Sequence, residues 1–180
     1  MLVLRLDKAG QPKSWISRED AATLYAKGQV IWELGETKKI MNGGYNSLGL
    51  KSSLNIASII ACEGRIKAEL GTLALSNPLL FRRDKNMCMY CGNEFSHKIL
   101  TRDHVLPRSR KGPDTWENVV AACQRCNSYK ADRTPEEAGM ELIAVPFKPN
   151  LYEHMYLRNR KILYDQTEFL SASFSKNFVI

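Results

Sequence analysis

Two Cys-x-x-Cys pairs, Cys88/Cys91 and Cys123/Cys126, bracket an Asp-His dipeptide, Asp103-His104, in a chain of 180 residues. Asn118 opens a short apolar run with Val119 and Val120, and Asn127 directly follows the last of those cysteines. No other stretch concentrates so many polar side chains of catalytic type. The two pairs stand 31 residues apart. Each can present two thiolates from a tight knuckle, and four thiolates in a tetrahedral array suit a closed, structural zinc site with no open coordination position. The competing reading is a redox pair or disulfides. A metal held this way joins the start of the segment to its end and contributes folding free energy, so a chelator should loosen what lies between. The fifth cysteine, Cys62, sits beside Ile59, Ile60 and Ala61 and reads as a small buried apolar residue.

The elements that must position these groups follow from local patterning. Lys98 to Arg102 reads as a strand ending at Asp103-His104. Pro107, Gly112 and Pro113, with Arg108, Arg110 and Lys111, make a basic loop. Trp116 to Ala122 reads as the returning strand, and Cys126-Asn127 opens a helix. The order is strand, loop, strand, helix, with polar residues at the junctions.

In that order, and with Asp103-His104, Asn118 and Asn127 framed by the four cysteines, the segment resembles an HNH endonuclease of the ββα-metal type, in the subgroup with a four-cysteine zinc site. The motif covers about a quarter of the chain. The flanks Trp15-Ile16-Ser17 and Thr134-Pro135-Glu136-Glu137-Ala138-Gly139 also look like those of small bacterial and phage HNH proteins. The resemblance implies an α+β fold and a metal-dependent DNA endonuclease. It makes His104 the general base, and Asn118 the residue that orients it.

The chemistry of the residues agrees with those roles. Histidine accepts a proton from water near neutral pH without a large pKa shift. Asp103, its neighbour on an extended chain, points to the opposite side and is free to ligate a divalent cation. Asn127 supplies a second oxygen, and the cation would stabilise the phosphate and the leaving 3′ oxygen. The last motif position is often His in this family and is Asn127 here. An all-oxygen shell favours Mg²⁺ or Mn²⁺ over Ni²⁺ or Zn²⁺ at the catalytic position. Arg108, Arg110, Lys111, Arg125 and Lys130 are the candidate phosphate contacts.

The rest of the chain reads as support. The formal net charge is +7 and the hydrophobic fraction 44%, which suits a packed protein with a polyanionic partner, nucleic acid first and an anionic membrane second; the resemblance makes that nucleic acid double-stranded DNA. Arg5, Asp7 and Lys8 occupy the place of a secretory apolar region, and the longest apolar patch, Ile56 to Cys62, is broken by Ser58 and far too short to span a bilayer. The expectation is a soluble, cytoplasmic protein with no membrane partner. Three regions are expected: a mixed α/β scaffold over 1–75, the HNH core with its zinc site over 76–145, and a helical extension over 146–180.

Within the scaffold, Val3 to Leu6 and Gln29 to Leu34 read as strands, with Gly10-Gln11-Pro12 as a turn. Ser17 caps a helix that ends near Gly28. Asn42 to Ser47, through Gly43-Gly44, reads as a loop, and Leu54 to Ile60 as a strand or a short buried helix. Trp15, Trp32 and Tyr45 read as packing residues, and Lys38, Lys39 and Lys51 as solvated loop residues with nucleic acid as the alternative. Ser76-Asn77-Pro78 starts a helix toward Cys88, whose Arg82 and Arg83 either touch phosphate or favour its C-terminus. Thr134-Pro135 starts another that Gly139 shortens, and 151–180 carries an amphipathic helix with Ile162, Leu163, Gln166, Phe169 and Leu170 at helical spacing. His97 and His154 lack motif context and read as surface or packing histidines.

Two function classes account for the cysteines and the charge: a nuclease, and a zinc-ribbon nucleic-acid-binding module without catalysis. Only the nuclease explains a histidine beside an aspartate at a strand end. An RNA-cleaving or structure-specific nuclease uses the same chemistry on another substrate. One motif per chain cuts one strand at a time, so a double-strand break would need a homodimer or two visits.

Overall fold

The computed structural model describes residues 2–35, 39–45, 47–63, 74–159 and 161–178, and the side chain of Lys39 is not among the described atoms. Lys38 and Asn46 lie outside these residues. The chain divides into two compact units, Met1–Thr72 with Leu151–Phe174, and Leu73–Asn150 with Ser175–Ile180.

The first unit is built on a four-stranded sheet. Its strands are β1 (Val3–Leu6), β2 (Pro12–Ile16), β3 (Val30–Leu34) and β6 (Ile59–Cys62), in the order β2-β1-β6-β3. β1 runs parallel to β6, and β2 and β3 are antiparallel to their neighbours. Strand β6 is buried on both faces, which is why its sequence is an unbroken apolar run rather than an alternating one. On one face Val3, Ile60 and Cys62 pack with Ala21 of helix α1 (Arg18–Ala26). On the other, Leu4, Leu6, Ile59 and Ala61 pack with Met155 of α4 (Leu151–Arg158) and Leu170 of α5 (Tyr164–Ser171). Helix α1 starts where expected: the Ser17 side chain accepts from the Asp20 N–H, and Gly28 follows in the left-handed region at φ +64°.

Several elements differ from the sequence expectation. Pro12 opens edge strand β2 rather than only closing a turn, a position where its missing N–H costs no ladder bond. Gly43-Gly44 lies in strand β4 (Lys39–Tyr45), not in a loop. It pairs with β5 (Lys51–Ile56) across a register shift between Asn42 and Tyr45. Leu54 to Ile60 is neither one strand nor a helix; Ala57-Ser58 breaks it into the end of β5 and the start of β6. The C-terminal region is the expected helical extension, formed by α4 and α5, but Ile162 and Leu163 precede α5 rather than lie in it.

The second unit opens with α2 (Asn77–Arg83), with Pro78 in its first turn. Arg83 does not reach solvent or phosphate. It is buried and paired with Asp84 at 2.7 Å, and its guanidinium donates to the carbonyls of Trp116, Val119 and Phe147. Asp84 in turn accepts from the Ala121 N–H, so this pair ties α2 to the returning strand. Strands β7 (Leu100–His104) and β8 (Val119–Cys123) form an antiparallel hairpin with Leu100 opposite Cys123 and His104 opposite Val119, and α3 (Gln124–Lys130) follows at once. The result is a ββα unit with Leu80, Phe81, Leu100, Trp116, Val119 and Ala121 as its core. The segment after Thr134 has reciprocal capping contacts between Thr134 and Glu137, yet it makes only turns, and Gly139 at φ +66° closes them.

Candidate active site and metal centre

The four cysteines converge. One sulfur from each of Cys88, Cys91, Cys123 and Cys126 lies within 4.8 Å of the others. A tetrahedral zinc with metal–sulfur bonds of about 2.3 Å needs sulfur–sulfur edges of about 3.8 Å, so the donor set fits the ion by type and spacing. The sequence produces this locally. β8 ends at Cys123, α3 begins at the next residue, and Cys126 falls one turn later with its N–H 3.4 Å from the Cys123 sulfur. On the other side a knuckle closes through Gly92 N–H to the Cys88 carbonyl and Cys88 N–H to the Asn93 carbonyl. The Met89 N–H bonds the Ala121 carbonyl, which fastens the knuckle to β8.

Burial acts to raise the Cys88 thiol, but backbone contacts from Cys123, Cys91 and Tyr90 outweigh it and the net shift is downward. Burial and the neighbouring Cys123 push Cys126 upward.

Asp103, His104 and Asn127 line one cavity of about 290 Å³, with Arg102, Pro107, Arg108, Ser109, Ala131 and Asp132 around it. The alternation of β7 sorts the side chains. Asp103 is 5% exposed. Its Oδ2 accepts from the Tyr90 hydroxyl at 2.5 Å and its Oδ1 from Lys130 Nζ at 3.2 Å. Burial, then the bond to Asp103, hold the Tyr90 hydroxyl well above the usual phenol range. Asn127, in α3, donates from Nδ2 to Thr101 Oγ1 at 2.8 Å and to the Arg102 carbonyl at 3.5 Å. A carbonyl only accepts, so the amide nitrogen must face it, and Oδ1 takes no hydrogen bond from the described residues. The Asp103 carboxylate and the Asn127 Oδ1 are thus two hard oxygen donors at one cavity, the type that suits Mg²⁺ or Mn²⁺.

On the opposite face of β7, His104 Nε2 lies 2.8 Å from Asp114 Oδ1. Arg102, two residues back, brings Nη1 to 2.8 and 2.7 Å from the two Asp114 oxygens, and its Nε donates to Asn77 Oδ1 at 2.9 Å. The bond from Arg102, joined by that from His104, holds the Asp114 carboxyl below the usual carboxylate range. The loop between the strands is pinned tightly. A Cβ at Gly112 would stand 1.7 Å from the Leu106 carbonyl oxygen, so only glycine lets the loop fold back there.

One expected role needs correction, and a second is shown to involve no direct contact. Lys130 is no phosphate contact: it is fully buried, with Nζ bonded to Asp103 Oδ1 and, at 2.7 Å, to the His104 carbonyl. Asn118 does not touch the imidazole. Its Oδ1 accepts from the Leu106 N–H, and its Nδ2 donates to the Leu106 and Pro113 carbonyls, so all its side-chain bonds go to loop backbone. Of the other basic candidates, Arg108, Lys111 and Arg125 are exposed, while Arg110 is ion-paired with Glu137 at 2.7 Å. His97 stacks tilted on Phe81, and His154 is buried.

Tyr90, Asp114 and Arg102 escaped the sequence reading. Tyr90 was hidden inside a cysteine knuckle and Asp114 inside a loop without periodicity. Arg102 carried a usable signal, because it shares the His104 face of a strand two residues away.

Residues 88–143 match the family model described as HNH endonuclease. Over 52 residues, 28% of this chain and 5% of that protein, the chain is 38% identical to the CRISPR-associated endonuclease Cas9 of Corynebacterium diphtheriae. Over 60 residues, 33% of this chain, it is 32% identical to the CRISPR-associated endonuclease Cas9 of Actinomyces naeslundii. The chain spans 5% of the length of these two curated relatives. A crystal structure of the type II-C Cas9 enzyme from Actinomyces naeslundii aligns with 54% of this chain and 14% of its own, at 21% identity and a TM-score of 0.28.

Proposed function

With an HNH endonuclease domain at residues 88–143 as the premise, we propose that this protein is a metal-dependent endonuclease that hydrolyses phosphodiester bonds in double-stranded DNA. The observation that carries the reading is that His104, Asp103 and Asn127 line a single cavity, with the exposed Arg108 at its rim. The His104 imidazole takes a proton from water, and the oxygen so activated attacks phosphorus while the bond to the 3′ oxygen breaks. A divalent cation, Mg²⁺ or Mn²⁺, held by Asp103 and Asn127 Oδ1 would neutralise charge on the phosphate and the leaving oxygen. Tyr90 and Lys130 keep the Asp103 carboxylate in one orientation. Arg108, Lys111 and Arg125 offer positive charge to the backbone of the duplex, in line with the net charge of +7. A zinc ion on the four cysteines is structural in this scheme and takes no part in the reaction.

The test is supercoiled plasmid with Mg²⁺, with and without EDTA, for the wild type and His104→Ala. Open-circular or linear DNA that disappears with EDTA and with the variant is the expected result. Tight binding without turnover in both proteins would establish the non-catalytic zinc-ribbon module instead, and cleavage restricted to RNA would move the substrate class. Cleavage supported by Ni²⁺ or Zn²⁺ alone would overturn the oxygen-ligand argument.

A further inference from the structure

We propose that Asp114 is the positioning residue of the His104 imidazole, holding Nε2 so that Nδ1 is the atom that receives the proton. The proposal rests on the reading of His104 as proton acceptor and goes beyond it by fixing the tautomer and the residue that sets it. Among the described residues Asp114 is the one hydrogen-bond partner of the ring, at 2.8 Å. Arg102 Nη1 lies 2.7 and 2.8 Å from the same carboxylate, and Arg102 is anchored to Asn77. A carboxylate facing a guanidinium is ionised and can only accept. The hydrogen between Asp114 and His104 therefore belongs to Nε2. A neutral imidazole carries one N–H, so the lone pair is on Nδ1.

The loop that carries Asp114 is itself held. Asn118 donates to the carbonyl of Pro113, the residue before Asp114, at 2.8 Å, and Gly112 lets the chain pass against Leu106. Asn118 thus acts on the imidazole at one remove, through the backbone that presents Asp114. In the reaction an O–H bond of water breaks and an N–H bond forms at Nδ1. The oxygen–phosphorus bond forms as the phosphorus–O3′ bond breaks, and the electron pair leaves on the 3′ oxygen. The imidazolium produced carries a new positive charge, and the Asp114 carboxylate already stands beside it.

The first measurement is the nitrogen spectrum of the histidine rings above the imidazole pKa; with His97, His104 and His154 as the three histidines, assignment by substitution is direct. His104 is expected as the Nε2–H tautomer in the wild type and is expected to lose that preference in Asp114→Asn. The second is plasmid cleavage by Asp114→Asn and Asp114→Glu, with thermal melting to confirm folding. The Asp114 side chain is 47% exposed, so the fold should persist. Asp114→Asn should lower kcat by about 100-fold with KM for DNA unchanged, and Asp114→Glu should recover part of it. An Nδ1–H tautomer in the wild type, an unchanged kcat in Asp114→Asn, or a raised KM at constant kcat would each overturn the proposal. If the wild type cleaves nothing, the nuclease reading fails, and the tautomer measurement alone decides whether Asp114 holds the ring.

Discussion

Replacing Lys130 with Met tests whether the buried ammonium is a structural counter-charge. Lys130 is 0% exposed and Asp103 5%, and the ammonium makes two bonds, to Asp103 Oδ1 at 3.2 Å and to the His104 carbonyl at 2.7 Å. A hydrogen bond to a charged group is worth about 1.5–3 kcal/mol. Two of them give a loss of about 3–6 kcal/mol, which overlaps the roughly 3–5 kcal/mol for removing one partner of a buried ion pair. Methionine fills most of the volume, so the loss is electrostatic rather than a cavity. For a domain of this size each kcal/mol moves Tm by about 4–8 °C, and Lys130→Met should lower the melting transition of this unit by at least about 12 °C. Calorimetry at fixed zinc measures it. Asp103→Asn in the Lys130→Met background should recover a large part, because the uncompensated carboxylate is gone. The reasoning is refuted if Lys130→Met melts within about 2 °C of the wild type while its DNA affinity falls and loses salt dependence. That combination would put the ammonium on the DNA-facing surface, where the sequence alone had placed it.

Three further outcomes are expected. The purified chain should carry one zinc, released by a strong chelator with loss of the melting transition of the ββα unit; Cys91→Ala should do the same, and retention of the transition without metal would show the cysteines are not a folding site. Arg108→Ala should reduce the salt slope of DNA binding by about 1, while Arg110→Ala, whose guanidinium already faces Glu137, should do less; filter binding across a salt series separates them. Burial, then the bond to Glu33, push the Tyr25 hydroxyl up to about 12, from an ordinary phenol value of 10.0. A raised folded-state value means its contribution is complete below the unfolded value and is lost as pH rises through the folded one. The first unit should therefore lose stability between about pH 10 and 12, and Tyr25→Phe should remove that part of the alkaline transition in a spectrophotometric titration.

What was legible in the sequence tracks how local the physics is. The cysteine knuckles, the strand ending in Asp103-His104 and the helix at Asn127 are read from spacing, and their convergence follows from a hairpin whose open end, where Leu100 faces Cys123, is gathered by the four sulfurs. Lys130 was misplaced because charge is read as exposure. Yet it stands three residues after Asn127, which puts both on the α3 face turned toward β7, and that spacing was the available signal. Asp114 had no such signal, since its place depends on Gly112 passing against a carbonyl and on Asn118 gripping Pro113.

Pro12 and Gly43-Gly44 show the same limit in the first unit: both are breakers by propensity, and an edge strand and a register shift absorb them. The division has a mechanistic consequence. Asp103 is held by a tyrosine inside the Cys88/Cys91 knuckle and by the last residue of the helix that the other cysteine pair opens. The Asp103 carboxylate is therefore oriented by the same backbone that the sulfurs gather, so removing an ion from the four cysteines should disturb Asp103 before it disturbs His104, whose ring is held by Asp114 with Arg102.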